Sequence, residues 1–507
     1  MVGGVLLTVP AAHPYAAPDE RVDVSTGGSM VEYRQFIGGQ WVDATNGGTW
    51  ELIDPATEAT IRTVPFGTRD DATAAIEAAA EAFPAWSRAT AYERAAVLRR
   101  AADLVRERLD ALGEVTSRES GKPLLQGKGE WVAAADLLEW YGEEAKRSYG
   151  RIIPSRVPGK RMMVLHQPVG VVGTITAWNF PAYNVARSVA AALAAGCTVV
   201  SRPSEFTPMT CMDLATVLAE AGLPDGVFNV VNGDPEGMGQ AMLEHEALRK
   251  LHFTGSVRVG KLLMDGASTT VTRLSLELGG NAPVIVLPDA DMEAVAAGAV
   301  TAKYRNAGQV CVSPQRFLIG GARRDEFVER VVPLVEKLRV GPGTDPDTEV
   351  GPMINARQRD RLEGIVTDAA RRGATVATGG GRPADREKGW FFSPTVVTDI
   401  TPEFPVYHEE LFGPVMPVVA FGDLDEAIAL ANDTAYGLAS YVWTNDLRSA
   451  MRAAERLEFG MVGVNEWTPH GTEGPFTGWK QSGIGSESGA EGFEEYVETK
   501  LVSLGGI

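Results

Sequence analysis

Apolar residues along the chain follow a pattern in which strand-like runs alternate with stretches of helical length. The predicted strands form two groups, 169–176, 198–201, 227–231 and 251–254, then 281–287, 317–319 and 415–421. Ala-rich or amphipathic segments, such as 209–221, separate them. Strands that alternate with helices predict parallel, doubly wound sheets, so the fold class is α/β.

The segment before the first group predicts a hairpin followed by helices. Residues 35–43 hold a Gly-Gly turn between two short apolar runs, which is typical of a β-hairpin. An Ala-rich helix is predicted for 70–83, ending at Pro84. Thr90 and Glu93 form a capping-box pattern, which predicts an amphipathic helix from there to about residue 112.

Two further segments are predicted to be exposed strands. Residues 151–167 form two runs around a Pro-Gly turn, and residues 496–504 form another. A lone hairpin is marginally stable in water, so we expect the first segment to pair with another element. Together they predict β-type contacts between subunits of a homodimer or homotetramer. Residues 1–30 lack a basic region ahead of their short apolar run, so we predict a tail rather than a signal peptide, with Met30 as a candidate native start.

A glycine pattern at 379–384 (GGGRPA) matches the Rossmann fingerprint in letters only. Pro383 stands where a helix should open, and no strong strand precedes the glycines. A dinucleotide, if bound, must therefore be held by another segment.

Charge and cysteine content narrow the possible partners. The formal net charge is −19, and no cluster of Lys and Arg reverses it locally, which argues against nucleic acid and anionic membranes as partners. An anionic ligand would need local cations or aligned backbone amides. Three cysteines in 507 residues, without metal-ligand spacing, predict neither a disulfide framework nor a metal site and favour the reducing cytoplasm.

Five short motifs carry the chemistry. They are AWNFP at 177–181, RPSE at 202–205, LELGG at 276–280, GQVC at 308–311 and EELFGP at 409–414. In this order and spacing they resemble the aldehyde dehydrogenase superfamily, from about residue 36 to 507. The resemblance implies NAD(P)-dependent oxidation of an aldehyde to a carboxylic acid through a cysteine thioester.

The same resemblance implies a domain plan with two doubly wound α/β domains and a β-hairpin extension for oligomerisation. Residues 31–145 and 169–279 are predicted to form the NAD-binding domain, and 280–480 the catalytic domain. Residues 146–168 and 481–507 are the predicted oligomerisation segments.

Three residues are the predicted catalytic set. By resemblance, Cys311 is the nucleophile, Glu277 the general base and Asn179 the oxyanion donor. A glycine-containing loop before Cys311 lets the thiol be exposed, and a thiolate attacks an aldehyde readily. A partly desolvated carboxyl such as Glu277 has a raised pKa, which suits activation of water. Cys197 and Cys211 match no such position and are predicted to be structural.

The predicted cofactor site follows the family motifs. Its members are Ile175, Thr176, Ala177, Trp178, Arg202, Ser204, Glu205, Gly255, Ser256, Gly260, Leu278, Glu410 and Phe412. Glu205 resembles the carboxylate that binds ribose hydroxyls and repels a 2′-phosphate, which favours NAD. The family usually has Lys at the position of Arg202, and because Arg also pairs well with phosphate, NADP stays open.

The substrate prediction rests on two arginines. Arg187 and Arg305 match positions that bind the distal carboxylate in the succinate-semialdehyde dehydrogenase branch, so the favoured substrate is succinic semialdehyde or a related carboxylated semialdehyde. Trp467 and His470 replace that branch's serine-containing loop, as an aromatic wall and a possible donor. With Tyr183, Trp467 leaves an aromatic or medium-chain aldehyde as the first alternative. A catalytically silent binding or structural homologue is the alternative of another class.

Three more residues depart from the usual pattern near the predicted pocket. Ser313 leaves no second thiol beside Cys311. Thr477 stands where Gly is usual, and Ser486 where Arg is usual. The placement of the loops at the pocket rim is therefore open.

Overall fold

A computed structural model describes residues 33–506, so the predictions for residues 1–30 lie outside the described residues. Fifteen α-helices are described: α1 (Arg69–Trp86), α2 (Ala91–Glu107), α3 (Leu109–Ser120), α4 (Leu124–Glu144), α5 (Pro181–Ala195), α6 (Pro208–Glu220), α7 (Pro235–Glu244), α8 (Val257–Ala267), α9 (Met292–Tyr304), α10 (Arg324–Val335), α11 (Ala356–Arg371), α12 (Pro405–His408), α13 (Leu424–Asn432), α14 (Leu447–Arg456) and α15 (Gly489–Glu494).

The described part of the chain also holds 24 strands: β1 (Gln35–Ile37), β2 (Gln40–Val42), β3 (Thr49–Ile53), β4 (Thr60–Pro65), β5 (Arg151–Ile153), β6 (Lys160–Pro168), β7 (Val171–Ile175), β8 (Thr198–Arg202), β9 (Phe228–Val230), β10 (Leu248–Thr254), β11 (Arg273–Glu277), β12 (Ala282–Val286), β13 (Pro314–Gly320), β14 (Thr375–Thr378), β15 (Thr395–Thr398), β16 (Val415–Phe421), β17 (Tyr436–Gly437), β18 (Ala439–Trp443), β19 (Met461–Val464), β20 (Phe476–Thr477), β21 (Trp479–Lys480), β22 (Gly483–Ile484), β23 (Ser486–Glu487) and β24 (Val497–Gly505).

The first large sheet has eight strands in the order β2-β1-β9-β8-β7-β10-β11-β22. Its five central strands, β9, β8, β7, β10 and β11, run parallel, and the edge strands β1, β2 and β22 are antiparallel. Ile175 pairs with Arg202, and Thr254 pairs with Glu277, so the carboxyl ends of four strands meet at one edge. Ligands bind at such edges in open α/β sheets.

The second large sheet has seven strands in the order β14-β15-β16-β13-β12-β18-β19. Alternate residues of β12 belong to separate hydrophobic clusters, with Val284 and Val286 in one and Ile285 in the other. Because side chains alternate across a strand, both faces of this sheet are covered. This explains why the chain reads here as a continuous apolar run. The predicted α/β architecture is confirmed.

A third sheet, β24-β6-β5, joins the two segments that were predicted to be exposed strands. Pairing of β24 with β6 runs from Val497 opposite Pro168 to Gly505 opposite Lys160. The prediction that residues 151–167 need a partner strand is confirmed. Within residues 481–507, β22 joins the first large sheet instead, so this predicted oligomerisation segment contributes to more than one sheet.

Two helix boundaries were predicted wrongly. α1 continues through Pro84, because the proline lies in the last turn and Trp86 is buried there, with Nε1 donating to the Leu193 carbonyl at 3.3 Å. The long helix predicted from Thr90 is two helices, which Arg108 separates with φ −113°. Hydrophobic periodicity continues across both points and therefore does not report either boundary.

The hairpin of β1 and β2 and the capping box of Thr90 and Glu93 form as predicted. Gly379 to Gly381 follow the antiparallel edge strand β14, and no helix opens there, which agrees with the absence of a dinucleotide fingerprint at that point. None of the helices within residues 33–506 combines the length and the apolar character needed to cross a bilayer.

Arg316, fully buried on β13, ties the second sheet to α13. Its Nε donates to Asn281 Oδ1 at 2.9 Å, and Nη1 and Nη2 donate to the carbonyls of Leu430 and Ala431 at 2.7 and 2.8 Å. These carbonyls lie in the last turn of α13, where a cation is favourable. Arg316 therefore satisfies these three acceptors at once.

We expect Arg316→Met to lower the free energy of unfolding by about 3 kcal/mol, because buried carbonyls lose their donors. Thermal unfolding followed by circular dichroism measures the change. Arg330→Met is the matched control, since Arg330 is 44% exposed and, within residues 33–506, pairs only with Glu326. Equal melting temperatures for both variants would contradict this role.

Candidate active site

The loop before Cys311 has an unusual backbone. Asn306, Ala307 and Gly308 lie in succession in the left-handed region, with φ of 50°, 53° and 70°. Such a conformation costs a non-glycine residue free energy and persists only where surrounding contacts enforce it. Gln309 supplies some of them, because its Nε2 donates to the Asn306 carbonyl at 3.1 Å and its Oε1 accepts from Ile354 N–H at 2.9 Å.

Gly308 also allows this loop to touch the segment 409–414. A Cβ on Gly308 would lie 2.1 Å from the Gly413 carbonyl oxygen, which is closer than any side chain permits. The loop before Cys311 is therefore held in place by its contact with the segment 409–414. The Cys311 side chain itself remains partly exposed.

Two cavities meet at Cys311. One, of about 480 Å³, extends toward the carboxyl ends of the first sheet and is also lined by Trp178, Glu277 and Phe412. The other, of about 370 Å³, is also lined by Arg187 and Arg305. The thiol is thus reachable from two sides, as a nucleophile placed between two ligands must be.

Glu277 ends β11 and is 5% exposed. Its Oε1 is buried without a hydrogen-bond partner among the described residues. Burial raises the pKa of Glu277 well above its usual range, although Arg187 acts in the opposite direction. A carboxyl group with these properties exchanges protons near neutral pH, so the geometry fits a general base.

Burial also raises the pKa of the Cys311 thiol well above its ordinary value, and the nearby charge of Glu277 raises it further. Arg187 acts in the opposite direction. The resting thiol is therefore protonated at neutral pH. This differs from the simple expectation of an ionised sulfur, because the same burial that suits Glu277 disfavours a thiolate.

Asn179 lies before α5 with its side chain 5% exposed. Its Nδ2 donates to the Gln309 carbonyl at 3.2 Å, so the amide lies beside the Cys311 loop. The Asn179 carbonyl accepts from Lys122 Nζ at 2.7 Å and from Asn306 Nδ2 at 2.9 Å. Cys311, Glu277 and Asn179 all line the larger cavity, so the three predicted catalytic residues are brought together.

Lys122 and Glu130 hold this part of the site, and the sequence did not point to either. They form an ion pair and are almost completely buried. Glu130 Oε1 also accepts from the Ala182 and Tyr183 N–H groups, at 2.7 and 3.1 Å, at the start of α5. A carboxylate is favourable at a helix N-terminus. The pair is eight residues apart in sequence and follows no motif.

The predicted adenosine-side residues follow neighbouring strands. Ile175 ends β7 and Arg202 ends β8, and the other residues of each group come directly after these strands; the Thr176 N–H donates to the Arg202 carbonyl at 3.2 Å. Arg202 Nη2 donates to Glu205 Oε2 at 3.0 Å and to the Gly233 carbonyl at 2.7 Å. Ser204 is buried beside them and accepts from the Phe206 N–H at 3.3 Å.

The start of α8 forms another wall of the larger cavity. Gly255 precedes Ser256, which caps the helix by accepting from the Val259 N–H at 3.4 Å, and Gly260 packs against Leu278. Arg258, Arg357 and Arg361 line the same cavity. A helix N-terminus and three cations fit a dinucleotide pyrophosphate in a chain whose net charge is negative.

Glu410 and Phe412 complete this cavity near Cys311. Glu410 Oε1 accepts from the Gly280 N–H at 2.8 Å, and burial raises the pKa of Glu410 to about 7. The ring of Phe412 meets that of Trp178 edge to face, with centroids 5.5 Å apart. Arg361 donates to the carbonyls of Glu410 and Leu411, which fixes the loop that carries both residues.

The two predicted substrate arginines differ in their surroundings. Arg305 is partly exposed, and its guanidinium lies 5.6 Å from the Phe180 ring centroid; no ion pair or hydrogen bond of its side chain is found within residues 33–506. Arg187 is 1% exposed and pairs with Glu487 at 2.7 Å. It lies over the rings of Tyr183 and Phe476. Both arginines line the smaller cavity.

His470 and Trp467 have different positions. His470 lines the smaller cavity, and burial, together with Arg305 and Arg187, lowers its pKa to about 3, so the ring is neutral. Trp467 instead packs on Trp443 and Tyr441, with centroids 4.9 and 5.7 Å away, and is not among the residues that line the cavity. Phe180, Tyr183 and Phe476 form the aromatic wall of the cavity in place of Trp467. A single sequence does not indicate which of these rings lines the cavity.

Thr477 and Ser486, which differ from the usual residues of the family at these positions, face each other. They pair across β20 and β23, and their hydroxyl oxygens are 2.7 Å apart. Ser313 accepts a long hydrogen bond, 3.4 Å, from the buried Lys303, whose pKa burial lowers to about 7. Thr477 and Ser486 therefore form one local interaction, although they are not adjacent in sequence.

The chain resembles known proteins over almost its whole length. Residues 41–502 match the aldehyde dehydrogenase family. A glutarate-semialdehyde dehydrogenase of Pseudomonas aeruginosa is 44% identical over 478 residues, which cover 94% of this chain and 99% of that protein. An Escherichia coli protein named succinate-semialdehyde dehydrogenase (NADP(+)) is 41% identical over 477 residues, covering 94% and 98%.

Among solved structures, betaine aldehyde dehydrogenase from Staphylococcus aureus in complex with NAD+ superimposes with a TM-score of 0.91 at 38% identity, covering 93% of this chain and 95% of that one. The predicted family and fold are confirmed. The chain belongs to the aldehyde dehydrogenase family and is an oxidoreductase that acts on aldehydes with a pyridine nucleotide as cofactor.

Proposed function

We propose that this protein oxidises a carboxylated semialdehyde, succinic semialdehyde first, to the corresponding diacid through a thioester on Cys311. The observation that carries the proposal is the position of Cys311 between two cavities. Glu277 and Asn179 flank it on the cofactor side, and two arginines line the other side. Relatives named succinate- and glutarate-semialdehyde dehydrogenases support the same substrate class.

The first step joins the Cys311 sulfur to the carbonyl carbon of the aldehyde. Because the resting thiol is protonated, its proton has to leave as the bond forms, and we assign Glu277 as the acceptor. The carbonyl oxygen becomes an oxyanion, for which the second N–H of the Asn179 amide is the proposed donor. Removing one such donor typically costs about 3 kcal/mol of barrier.

The second stage produces the acid. A nicotinamide bound beside Trp178 and Phe412 would supply the hydride acceptor. As the oxyanion collapses to a carbonyl, the former aldehyde carbon loses its hydride and remains joined to Cys311 as a thioester. Glu277 releases its proton to solvent, takes a proton from water, and the hydroxide formed attacks the thioester carbon. The C–S bond breaks, the thiol regains a proton, and the carboxylic acid leaves.

We propose NAD as the preferred cofactor. Arg202 is committed to Glu205 and to the Gly233 carbonyl, so it is poorly placed to receive a 2′-phosphate. The Glu205 carboxylate would repel that phosphate. The relative named for NADP(+) makes NADP the alternative.

The distal carboxylate is assigned chiefly to Arg305. Its guanidinium has no competing ion pair among the described residues, whereas Arg187 is paired and 1% exposed. Arg187 adds positive charge to the same cavity, and neutral His470 can donate a hydrogen bond. An aromatic or medium-chain aldehyde is the second candidate, because Phe180, Tyr183 and Phe476 also line the cavity.

We also propose that the protein self-associates and that it works in a reducing compartment. The sheet of β5, β6 and β24 exposes Ile152 and Leu501, which are 73% and 57% exposed and are suited to cover one another in a homodimer or homotetramer. All three cysteines are free, which agrees with the cytoplasm. Sedimentation of the purified chain measures the assembled mass.

Glu277→Gln is expected to lower kcat by about 10²- to 10⁴-fold, because the amide has nearly the same shape and cannot accept a proton. Formation of reduced nicotinamide, followed by absorbance, measures kcat. Glu336→Gln is the control, since Glu336 is exposed and lines neither cavity. A Glu277→Gln enzyme with the turnover of the wild type would remove Glu277 from the mechanism.

Arg305→Leu is expected to lower kcat/KM for succinic semialdehyde by about 10- to 100-fold, because a charge-assisted contact is lost. For butanal, which lacks the carboxylate, the change should stay below about threefold. Arg305→Lys keeps the charge and should retain more of the preference. Equal losses of kcat/KM for both aldehydes would contradict the substrate assignment. The same measurements made with NAD and with NADP show which cofactor the enzyme prefers.

A further inference from the structure

Arg187 is enclosed by residues from a two-stranded ladder that the proposed reaction does not use. The Arg187 guanidinium pairs with Glu487 at 2.7 Å, and its carbon lies 4.3 Å from the Phe476 ring centroid. Phe476 and Glu487 are direct partners across β20 and β23. Because directly opposed residues project to the same face, the ring and the carboxylate reach Arg187 together.

The other pair in this ladder fixes its register. Thr477 and Ser486 are opposed, and their hydroxyl oxygens are 2.7 Å apart. A slip of one residue would turn Glu487 to the opposite face. The hydroxyl contact therefore supports the alignment that brings Glu487 to Arg187.

Glu487 is anchored on its other side as well. Its Oε1 lies 2.7 Å from His252 Nε2 on β10, and the Tyr496 hydroxyl lies 3.3 Å from His252 Nδ1. Glu487 and His252 are 5% and 1% exposed. Glu277, His252, Phe476 and Glu487 also line one small cavity, so this anchor lies next to the proposed base.

We propose that Glu487 is a positioning residue, which together with Phe476 holds the Arg187 guanidinium in place and cancels part of its charge beside Cys311 and Glu277. The inference rests on the proposed function, in that Arg187 belongs to the substrate cavity. It makes the roles of the two arginines unequal. Arg305 offers its full charge to the substrate, while Arg187 is held and partly neutralised.

The pH dependence of Cys311 reports the charge and position of Arg187 without any substrate. The titratable groups closest to Cys311 are Glu277 on β11, Arg187 and Tyr183 on α5, Glu410 in the 409–414 loop and Tyr441 on β18. Arg305 and His470 line the same cavity as Cys311. Arg187 is the cation among them that lowers the pKa of Cys311. A guanidinium released from Glu487 can turn toward the cavity and stabilise the thiolate more strongly.

The experiment measures the alkylation rate of the full chain by iodoacetamide against pH, without added cofactor. Cys197 and Cys211 are 0% exposed, so the reaction reports Cys311. Glu487→Gln should move the midpoint to lower pH by about one unit, and Arg187→Gln should move it to higher pH. A Glu487→Gln midpoint that is unchanged or higher would overturn the proposal.

A double variant tests whether Glu487 acts through Arg187. In the Arg187→Gln background, Glu487→Gln should shift the midpoint by less than about a third of its effect in the wild type, because coupled residues are not additive. An equal shift in both backgrounds would mean that Glu487 acts on Cys311 directly and would overturn the positioning role.

If the Glu487→Gln variant does not fold, Thr477→Val offers a second test of the proposal that leaves every charge in place. Loss of the hydroxyl contact should move the midpoint in the same direction as Glu487→Gln, by a smaller amount; a shift to higher pH would overturn the proposal. Since alkylation needs no aldehyde, a wrong substrate assignment would leave these shifts intact. Failure of the proposed function and failure of this inference are therefore distinguishable.

Discussion

Desolvation of a thiol and a carboxyl group side by side is the constraint on which this site depends. Burial raises the pKa of Cys311 and that of Glu277, and the charge of Glu277 raises the pKa of Cys311 further, while the hydrogen bond between the two groups lowers the pKa of Glu277. The pair therefore carries a proton at neutral pH that must move before sulfur can attack. A protonated thiol is a weaker nucleophile than a thiolate, and a nearby base is placed to accept its proton.

The fold supplies this constraint by joining two sheets at their functional edges. Glu277 ends a strand of the first sheet, and Cys311 lies in the loop just before β13 of the second. The strained residues Asn306 and Ala307 and the buried Lys122–Glu130 pair hold the connecting loops. Arginines lining both cavities give an acidic protein a local positive potential, which anionic ligands require.

Sequence reasoning succeeded where the chemistry is local and fell short where it depends on packing. Buried strands, the capping box at Thr90 and the motif residues around Cys311 could be read because periodicity and short motifs encode them. The break at Arg108 and the inward packing of Trp467 could not, because tertiary contacts decide them. Lys122, Glu130 and the contact of Thr477 with Ser486 join residues that carry no motif, so only three-dimensional proximity reveals them.

The central claim is that Cys311 carries the oxidised substrate as a thioester, which the neighbouring Glu277 carboxyl group helps to hydrolyse. Rapid acid quenching of the wild-type enzyme in its first turnover after mixing with succinic semialdehyde and NAD, followed by peptide mass spectrometry, tests it most directly. The account predicts a succinyl group on the peptide that contains Cys311, removable by hydroxylamine. Reduced nicotinamide formed without any acyl group on that peptide would contradict it.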